Sequence, residues 1–228
     1  MLKTVIFDFD GVITDSEILH FRSFNQVLAR FGVEIATKDY YKTYLGLTDA
    51  DCFNLLIREG LLKGKAAEQE IENLLKQKKE VFEKLARTEG RIIEGVQGFL
   101  KMLKQNNLPM AICSGALLVE IELILDEARL RHFFETIVSA EQVRKGKPSP
   151  DGFLLTLHKL NKGRQTPITG AQCVVVEDSH WGLEAAKAAG MHTIAVTNSY
   201  DAEQLALAEK IVARLSDLSI SDLQQLCA

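Results

Sequence analysis

Two aspartates, Asp8 and Asp10, follow an apolar run near the start of the chain, in the stretch TVIFDFDG. Glu177 and Asp178 follow a second apolar run, in the stretch VVVEDS. Carboxylates held this close repel each other unless a cation lies between them, and Mg²⁺ is a hard cation that prefers carboxylate oxygens. If the two runs are strands of one sheet, these four acids predict a Mg²⁺ site rather than a cluster of salt bridges.

Three further residues could bind the oxygens of a phosphate. Ser114 and Gly115 follow the apolar run MAIC, and they offer a hydroxyl and a backbone N–H. Lys147, in KGKPSPDGF, could place an ammonium near the acids, and Lys145 is the nearby alternative. A cation beside Mg²⁺ would stabilise the negative charge on a phosphoryl group during its transfer. The residue types therefore indicate phosphoryl chemistry.

Short apolar runs rich in β-branched residues recur along the chain, and helical patterns lie between most of them. This alternation predicts an α/β fold, in which a parallel sheet carries helices on both faces. Ligands of such sheets bind at the carboxyl ends of the strands, so the acids and Ser114 are expected at one edge. The predicted strands are TVIF at 4–7, MAIC at 110–113, TIV at 136–138, CVVV at 173–176 and TIAV at 193–196.

The alternation stops between about Ser16 and Arg87, where we find helical patterns and no convincing strand. One apolar stripe is expected to end at Gly32, and a second lies on a long charged helix. The stripes are Phe21, Phe24, Leu28 and Phe31, then Ala67, Ile71, Leu74, Lys78, Val81 and Leu85. We predict an α/β core domain of residues 1–15 and 90–228 and a helical cap domain of residues 16–89, with one merged domain as the alternative.

The composition excludes several classes of protein. The 228 residues are 46% hydrophobic and 25% charged, as in globular proteins, and the net charge of −4 predicts no binding of nucleic acid. No apolar run reaches the roughly 18 residues of a membrane span, and no signal peptide is evident. Four cysteines without a CxxC pair predict reduced thiols in a cytoplasmic protein. We also expect a monomer, because no long unexplained apolar surface is visible.

Taken together, the motifs resemble those of the haloacid dehalogenase superfamily, in type, order and spacing. They are DFDGVITDSE, the serine of ICSG, the lysine of GKPSPDGF, and VVEDSHWGLEAAKAAG. The resemblance runs from Leu2 to about Asn198 and implies a Rossmann-like core. The insertion between Asp15 and Gly90 resembles the small helical cap of that family.

The resemblance also implies roles for the acids. Asp8 would be the nucleophile that forms an aspartyl-phosphate, and Asp10 would be the general acid and base. The presence of Asp10 points to phosphatases and phosphomutases, since dehalogenases of the superfamily lack it. The implied Mg²⁺ ligands are the Asp8 carboxylate, the Asp10 backbone carbonyl, Asp178 and, directly or through water, Glu177.

Within the superfamily the chain resembles β-phosphoglucomutases, phosphoglycolate phosphatases and small sugar-phosphate phosphatases. A mutase must also bind a second phosphate, and the mutases carry polar residues after the motif-two serine and a basic patch on the cap. Here the segments read GALL at 115–118 and YLGLTD at 44–49, without a basic residue. We therefore predict a Mg²⁺-dependent phosphatase of small phosphorylated metabolites, such as sugar phosphates. The alternatives are a β-phosphoglucomutase-like enzyme and, more remotely, a non-catalytic metabolite-binding protein.

Residues of the cap are expected to select the substrate, because the core offers only phosphate and metal contacts. The candidates are His20, Glu17, Leu45 and Thr48. His20 is equally consistent with a partly buried helix histidine, and Glu17 with an acid that favours a helix N-terminus. His180 and Trp181 follow the fourth motif and could line the site entrance, although Trp181 could equally be a packing residue.

Overall fold

The computed structural model describes residues 1–45, 47–62 and 71–228, which form two compact units. The α/β unit consists of Met1–Asp15 and Arg91–Ala228, and the helical unit consists of Ser16–Gly90. The second junction lies one residue from the predicted boundary between 89 and 90. That the helical unit acts as a cap domain stays a prediction.

The α/β unit contains a six-stranded parallel sheet with the strand order β3-β2-β1-β4-β5-β6. The strands are β1 (Thr4–Phe7), β2 (Met110–Cys113), β3 (Thr136–Val138), β4 (Cys173–Glu177), β5 (His192–Val196) and β6 (Lys210–Val212). Phe7 is in register with Ile112 of β2 and with Val176 of β4, so the carboxyl ends of these strands align. The predicted α/β fold class is confirmed.

Eight helices of seven or more residues accompany the sheet or build the helical unit in the described parts of the chain. They are α1 (Glu17–Leu28), α2 (Asp49–Arg58), α3 (Ile71–Glu89), α4 (Val96–Gln105), α5 (Leu118–Glu127), α6 (Asp151–Asn161), α7 (His180–Ala188) and α8 (Ile220–Leu226). Shorter helical segments lie at Ala29–Phe31, Thr37–Asp39, Tyr40–Tyr44, Arg131–Phe133, Ala140–Gln142, Gly170–Gln172 and Leu215–Asp217.

The sequence of β1 explains its place inside the sheet. All four of its residues are buried, because apolar groups cover both faces. Ile6 belongs to a core cluster that includes Phe153 of α6. On the opposite face Phe7 meets the rings of Phe99 and Phe134 edge-on, with centroids 6.0 and 6.1 Å apart. A continuous apolar strand is stable where both faces are covered, and β1 meets that condition.

The sheet differs from the predicted strands at its far edge. β6 was not expected, because its sequence KIV is short, is only half-buried and begins with a lysine. Such features are typical of an edge strand, which tolerates charge and needs few apolar contacts. In addition, β4 extends to Glu177 and β5 begins at His192, one residue beyond each predicted run.

The helical unit has its own apolar core, in which α1 packs along α3. Phe24 and Leu28 of α1 are buried, and the chain turns at Gly32 in the left-handed region, with φ of 68°. Phe31 is 37% exposed, so the predicted stripe is wrong at that position. The predicted start of the second stripe, Ala67, lies outside the described residues. The buried positions of α3 are Leu74, Lys78, Phe82 and Ala86.

None of the described helices is both long enough and apolar enough to cross a membrane. The four cysteines, Cys52, Cys113, Cys173 and Cys227, are buried and have free thiols. Burial raises the pKa of Cys113 to about 11 and the pKa values of Cys52 and Cys173 to about 12. These thiols therefore stay protonated and pack as small apolar side chains.

Candidate functional site

The end of β1 carries the two predicted catalytic aspartates. The backbone N–H of Asp8 donates to the carbonyl of Val176 at 2.9 Å, which holds the strand end against β4. The next residue, Phe9, is buried, and its carbonyl accepts hydrogen bonds from the backbone of the following turn. Asp10 comes directly after Phe9 and is half-buried, and its backbone forms an isolated β-bridge with Thr14. The turn therefore keeps both aspartates at the carboxyl edge of the sheet.

Three carboxylates meet at this edge. One oxygen from each of Asp8, Glu177 and Asp178 lies within 4.8 Å of the other two, and all three residues are buried. The register of β1 against β4 produces this meeting, because Phe7 pairs with Val176 and each strand then ends in an acid. The structure thus brings together the acids that the sequence placed at two separate strand ends.

Lys147 is the cation among these acids. Its ammonium donates to Asp8 Oδ1 at 2.7 Å and also to Glu177 Oε1, and its side chain is 18% exposed. Burial opposes the charged form, but Asp8 and Glu177 together raise the pKa of Lys147 above its ordinary value. Lys145 is exposed, so the structure brings Lys147 rather than Lys145 to the acids.

The site carries more negative charge than Lys147 can balance. Burial raises the pKa of Asp8 to about 7. The charges of Glu177 and Asp10 also raise this pKa, whereas the charge of Lys147 lowers it. Burial, with Asp8 and Glu177, also raises the pKa of Asp178 well above its usual range. A divalent cation would relieve this repulsion, and carboxylate oxygens are the ligands that a hard cation prefers. The donor set therefore fits a metal such as Mg²⁺.

Gly11 makes room for Asp178. Its φ is 74°, and a Cβ built there would lie 1.7 Å from Asp178 Oδ2, so any side chain would displace that carboxylate. The Ser199 hydroxyl donates to the same oxygen of Asp178, and the Asn198 amide donates to the Gly11 carbonyl at 2.6 Å. The loop after β5 thus fixes both the turn and one predicted metal ligand.

Glu177 is fully engaged by its neighbours. Its Oε2 accepts from the backbone N–H groups of Asp178 and Ser179, each at 3.0 Å, and from the Ser179 hydroxyl at 2.9 Å. Its Oε1 accepts from Lys147. A Cβ on Gly182 would lie 1.8 Å from Oε1, so a glycine in the first turn of α7 is needed for Glu177 to fit. These bonds hold Glu177 in place and, through it, Lys147.

Ser114 and Gly115 lie at the same sheet edge, after β2, the other neighbour of β1. The Ser114 N–H donates to the Val138 carbonyl at 2.9 Å, and its hydroxyl oxygen accepts from the Ala116 N–H at 2.9 Å. The hydroxyl hydrogen can therefore be donated to another group. A Cβ on Gly115 would meet no protein atom within 4 Å, so packing does not require a glycine there.

Comparison with known proteins decides the family. A family model described as haloacid dehalogenase-like hydrolase matches residues 5–196. The chain belongs to this family. The prediction from its four motifs is thereby confirmed.

Several individual proteins are similar to this chain over most of its length. The chain is 31% identical over 193 residues to the phosphorylated carbohydrates phosphatase of Thermotoga maritima, covering 85% of this chain and 84% of the relative. It is 26% identical to the β-phosphoglucomutase of Bacillus subtilis, covering 98% and 95%. The crystal structure of CbbY from Rhodobacter sphaeroides in complex with phosphate superposes with a TM-score of 0.85 at 25% identity, covering 98% of this chain and 100% of that one.

The predicted substrate residues of the helical unit have partners inside that unit. The Tyr40 hydroxyl donates to Glu17 at 2.6 Å, and the Thr48 side chain caps the N-terminus of α2 by accepting from the Asp51 N–H at 3.1 Å. Leu45 is half-buried at the end of the helical segment Tyr40–Tyr44. Gly46, in the segment that lacks a basic residue, lies outside the described residues. Glu17 and Thr48 thus have structural roles, whether or not they also contact a substrate.

His20 belongs to a buried charged cluster that the sequence did not reveal. The Lys78 ammonium is fully buried, lies 2.7 Å from Asp49 Oδ1 and contacts His20 Nδ1. Burial, reinforced by Lys78, lowers the pKa of His20 well below its ordinary value. Lysine is a donor only, so Nδ1 of the neutral ring accepts and the ring proton is on Nε2. The His20 ring also stacks on Phe82 at 4.2 Å.

Replacing Lys78 by methionine is expected to raise the pKa of His20, because the repelling ammonium is removed while Asp49 remains. Stability should fall by about 1–3 kcal/mol, less than for a fully buried pair, since Asp49 is 30% exposed and can be hydrated. An NMR titration of His20 and a urea unfolding curve would measure both effects. The matched control is Lys84→Met on an exposed position of α3, which should leave the His20 pKa unchanged. An unchanged His20 pKa in Lys78→Met would contradict the cluster.

Proposed function

We propose that the protein is a Mg²⁺-dependent phosphatase that hydrolyses small phosphorylated metabolites, such as sugar phosphates, through an aspartyl-phosphate. One observation carries the proposal: Asp8 lies at a strand end between a lysine that neutralises it and two further carboxylates that fit a metal. Membership of the haloacid dehalogenase-like family and the likeness to a phosphatase of phosphorylated carbohydrates support it.

In the first step, a carboxylate oxygen of Asp8 attacks the phosphorus of the bound monoester. The bond from phosphorus to the leaving oxygen breaks, and Asp10 gives that oxygen a proton. Asp8 must be ionised to attack, although its buried surroundings raise its pKa. Lys147, bonded to Asp8, favours the ionised form and also neutralises charge on the transferring group. Ser114 and Gly115 would donate hydrogen bonds to the other phosphate oxygens.

In the second step, a water molecule attacks the aspartyl-phosphate and Asp10 takes its proton. The Asp8 carboxylate is regenerated and inorganic phosphate leaves. The same side chain thus acts as an acid and then as a base, which requires that it reach both the ester oxygen and the water. The half-buried position of Asp10, two residues beyond Asp8, is consistent with both roles.

We assign the metal to Asp8, Asp178 and the Asp10 backbone carbonyl. When bound, Mg²⁺ would neutralise charge on the phosphate oxygens. Glu177 is proposed to act through a water, or through Lys147, rather than as a direct ligand, because both of its oxygens already accept hydrogen bonds. Ser199 and Gly11 hold the Asp178 carboxylate in position.

Hydrolysis is favoured over mutase chemistry because the segments 115–118 and 44–49, where the mutases carry polar or basic residues, have no basic residue. The segment 115–118 after the motif-two serine is GALL and offers no charged side chain. In the helical unit the Lys78 ammonium is buried and is bound by Asp49. We further propose that the helical unit closes as a cap over the substrate. We also propose that the protein is a monomer in the cytoplasm. Four free thiols are consistent with such a reducing compartment.

The deciding experiment follows two products of one reaction. The protein is incubated with Mg²⁺, β-glucose 1-phosphate and a trace of glucose 1,6-bisphosphate, and inorganic phosphate and glucose 6-phosphate are measured together. We expect release of inorganic phosphate, its loss in excess chelator and its return with added Mg²⁺. Formation of glucose 6-phosphate without phosphate release would make the enzyme a mutase. Full activity in excess chelator would remove the metal from the proposal.

If this sugar phosphate gives neither product, a panel of phosphate monoesters under the same conditions becomes the test. Release of phosphate from any of them supports the phosphatase and identifies the preferred organic group. No release from the whole panel would support a metabolite-binding protein instead.

A further inference from the structure

An aromatic cluster that the mechanism does not use follows directly, in the sequence, two residues that bind the site carboxylates. It consists of His180, Trp181 and Tyr200. The His180 ring lies 4.0 Å from the Trp181 ring and 5.3 Å from the Tyr200 ring, which it meets edge-on. The Trp181 and Tyr200 rings are also edge-on, at 6.1 Å. Two rings from the first turn of α7 and one from the loop after β5 thus pack together.

The start of α7 and the loop after β5, which carry these rings, also provide the residues that bind the carboxylates. Ser179, bonded to Glu177, directly precedes His180. Ser199, bonded to Asp178, directly precedes Tyr200. Consecutive Cα atoms are about 3.8 Å apart, so the cluster starts within one residue of each bond to the site. His180 and Tyr200 are thus tied, through the residues that precede them, to Glu177 and Asp178 of the proposed site.

The cluster is rigid on one side and open on the other. Tyr200 packs against the buried cluster of Leu183, Ala195 and Leu205, so the core holds its ring in place. Trp181 remains 39% exposed, whereas the phenylalanines of the α/β unit are buried and Tyr200 is half-buried. An aromatic face held in place and left in water is a surface that a ligand can cover.

Resting on the proposed function, we propose that His180, Trp181 and Tyr200 form a wall that binds the C–H face of a cyclic sugar in the phosphate ester. The phosphate of the ester is bound at Asp8, Ser114 and Lys147, so the organic group extends from the sheet edge. Aromatic rings gain free energy by covering the C–H face of a sugar ring, and the gain is smaller for a small open-chain group that covers less area. The wall thus selects for a ring, and it contains no lysine or arginine to attract a second phosphate.

The test compares a phosphate ester that has a sugar ring, β-glucose 1-phosphate, with one that has no ring, glycerol 3-phosphate. Trp181→Ala should raise the ratio of the KM for glucose 1-phosphate to the KM for glycerol 3-phosphate by roughly three- to tenfold. Trp181→Phe keeps an aromatic face and should restore most of the ratio. Leu154→Ala, at an exposed apolar position of α6, is the matched control and should leave the ratio unchanged. An equal change in both KM values would mean that Trp181 only supports the fold, and would overturn the proposal.

A second measurement does not depend on turnover. Trp181 is the single tryptophan of the chain, so the intrinsic tryptophan fluorescence reports on the wall alone. In the Asp8→Asn variant with Mg²⁺, saturation with glucose 1-phosphate should change the emission more than saturation with glycerol 3-phosphate or inorganic phosphate. Equal changes with all three would overturn the proposal. If the wild type released no phosphate from any ester, the proposed function would fail, and this titration would still decide whether the wall binds the sugar.

Discussion

Replacing Asp8 by asparagine is expected to lower the rate of phosphate release by at least about 10⁴-fold, because the amide cannot form the aspartyl-phosphate. The fold should be kept, since asparagine has nearly the same shape and Lys147 retains its bond to Glu177. The measurement is phosphate release under single-turnover conditions, alongside circular dichroism. Retained turnover would remove Asp8 as the nucleophile. Asp126→Asn, an exposed carboxylate at the end of α5, makes the same change in charge and should leave the rate unchanged.

The same variant has a predictable effect on stability. Without metal, Asp8 has a pKa of about 7 in the folded protein against an ordinary value of 3.8, so the folded state binds its proton more tightly. The contribution of Asp8 to the free energy of unfolding therefore falls as the pH rises from 3.8 to about 7. An asparagine at this position does not titrate, so the variant does not lose stability in this way as the pH rises. In excess chelator at about pH 8 the variant should be at least as stable as the wild type in urea. A variant that is clearly less stable there would contradict the raised pKa.

Gly11→Ala is expected to abolish most of the activity and to lower stability by about 2–4 kcal/mol. The new Cβ would lie 1.7 Å from Asp178 Oδ2, so the carboxylate must leave its position and its bond to Ser199. The backbone at φ of 74° adds strain for any residue with a side chain. The apparent affinity for Mg²⁺, measured from the Mg²⁺ dependence of phosphate release, should fall with the activity.

Gly190→Ala separates the steric effect from the backbone strain. Gly190 has a φ of 71°, close to that of Gly11, but a Cβ there would meet no atom within 4 Å. This variant should lose about 1 kcal/mol of stability and keep its activity and its Mg²⁺ dependence. If both variants behaved alike, the crowding at Asp178 would not be the reason for the glycine at position 11.

The residues that the sequence located best are those at the ends of strands. Asp8, Ser114 and Asp178 each follow a buried apolar run, and in a parallel sheet that position alone brings them to one edge. The same reasoning could have found Asn198 and Ser199, which follow β5, but small polar residues are common in any turn and do not stand out. Their importance depends on hydrogen bonds to Gly11 and Asp178, which only the structure reveals.

Other features could not be predicted because they depend on distant partners. Lys78 lies in an apolar stripe, where periodicity predicts its burial but not its charge balance. Asp49 provides that balance from α2, far away in the sequence. Gly182 lies within the stretch VVEDSHWGLEAAKAAG, but only the structure shows why a glycine is needed there: the carboxylate of Glu177 lies against the first turn of α7. Close packing between groups of different elements leaves no periodic signal in the sequence.

The central place of β1 also affects how the chain is made. The ribosome synthesises Thr4–Phe7 before the strands that flank it, because Met110–Cys113 and Cys173–Glu177 emerge only after the whole helical unit. During synthesis this apolar strand therefore has no neighbouring strand to pair with, while residues Ser16–Gly90 can already pack around their own core. The carboxylates at positions 8, 177 and 178 meet only when β4 docks. The carboxylate site of the nascent chain thus forms in one event, after the helical unit and β2 have already been translated.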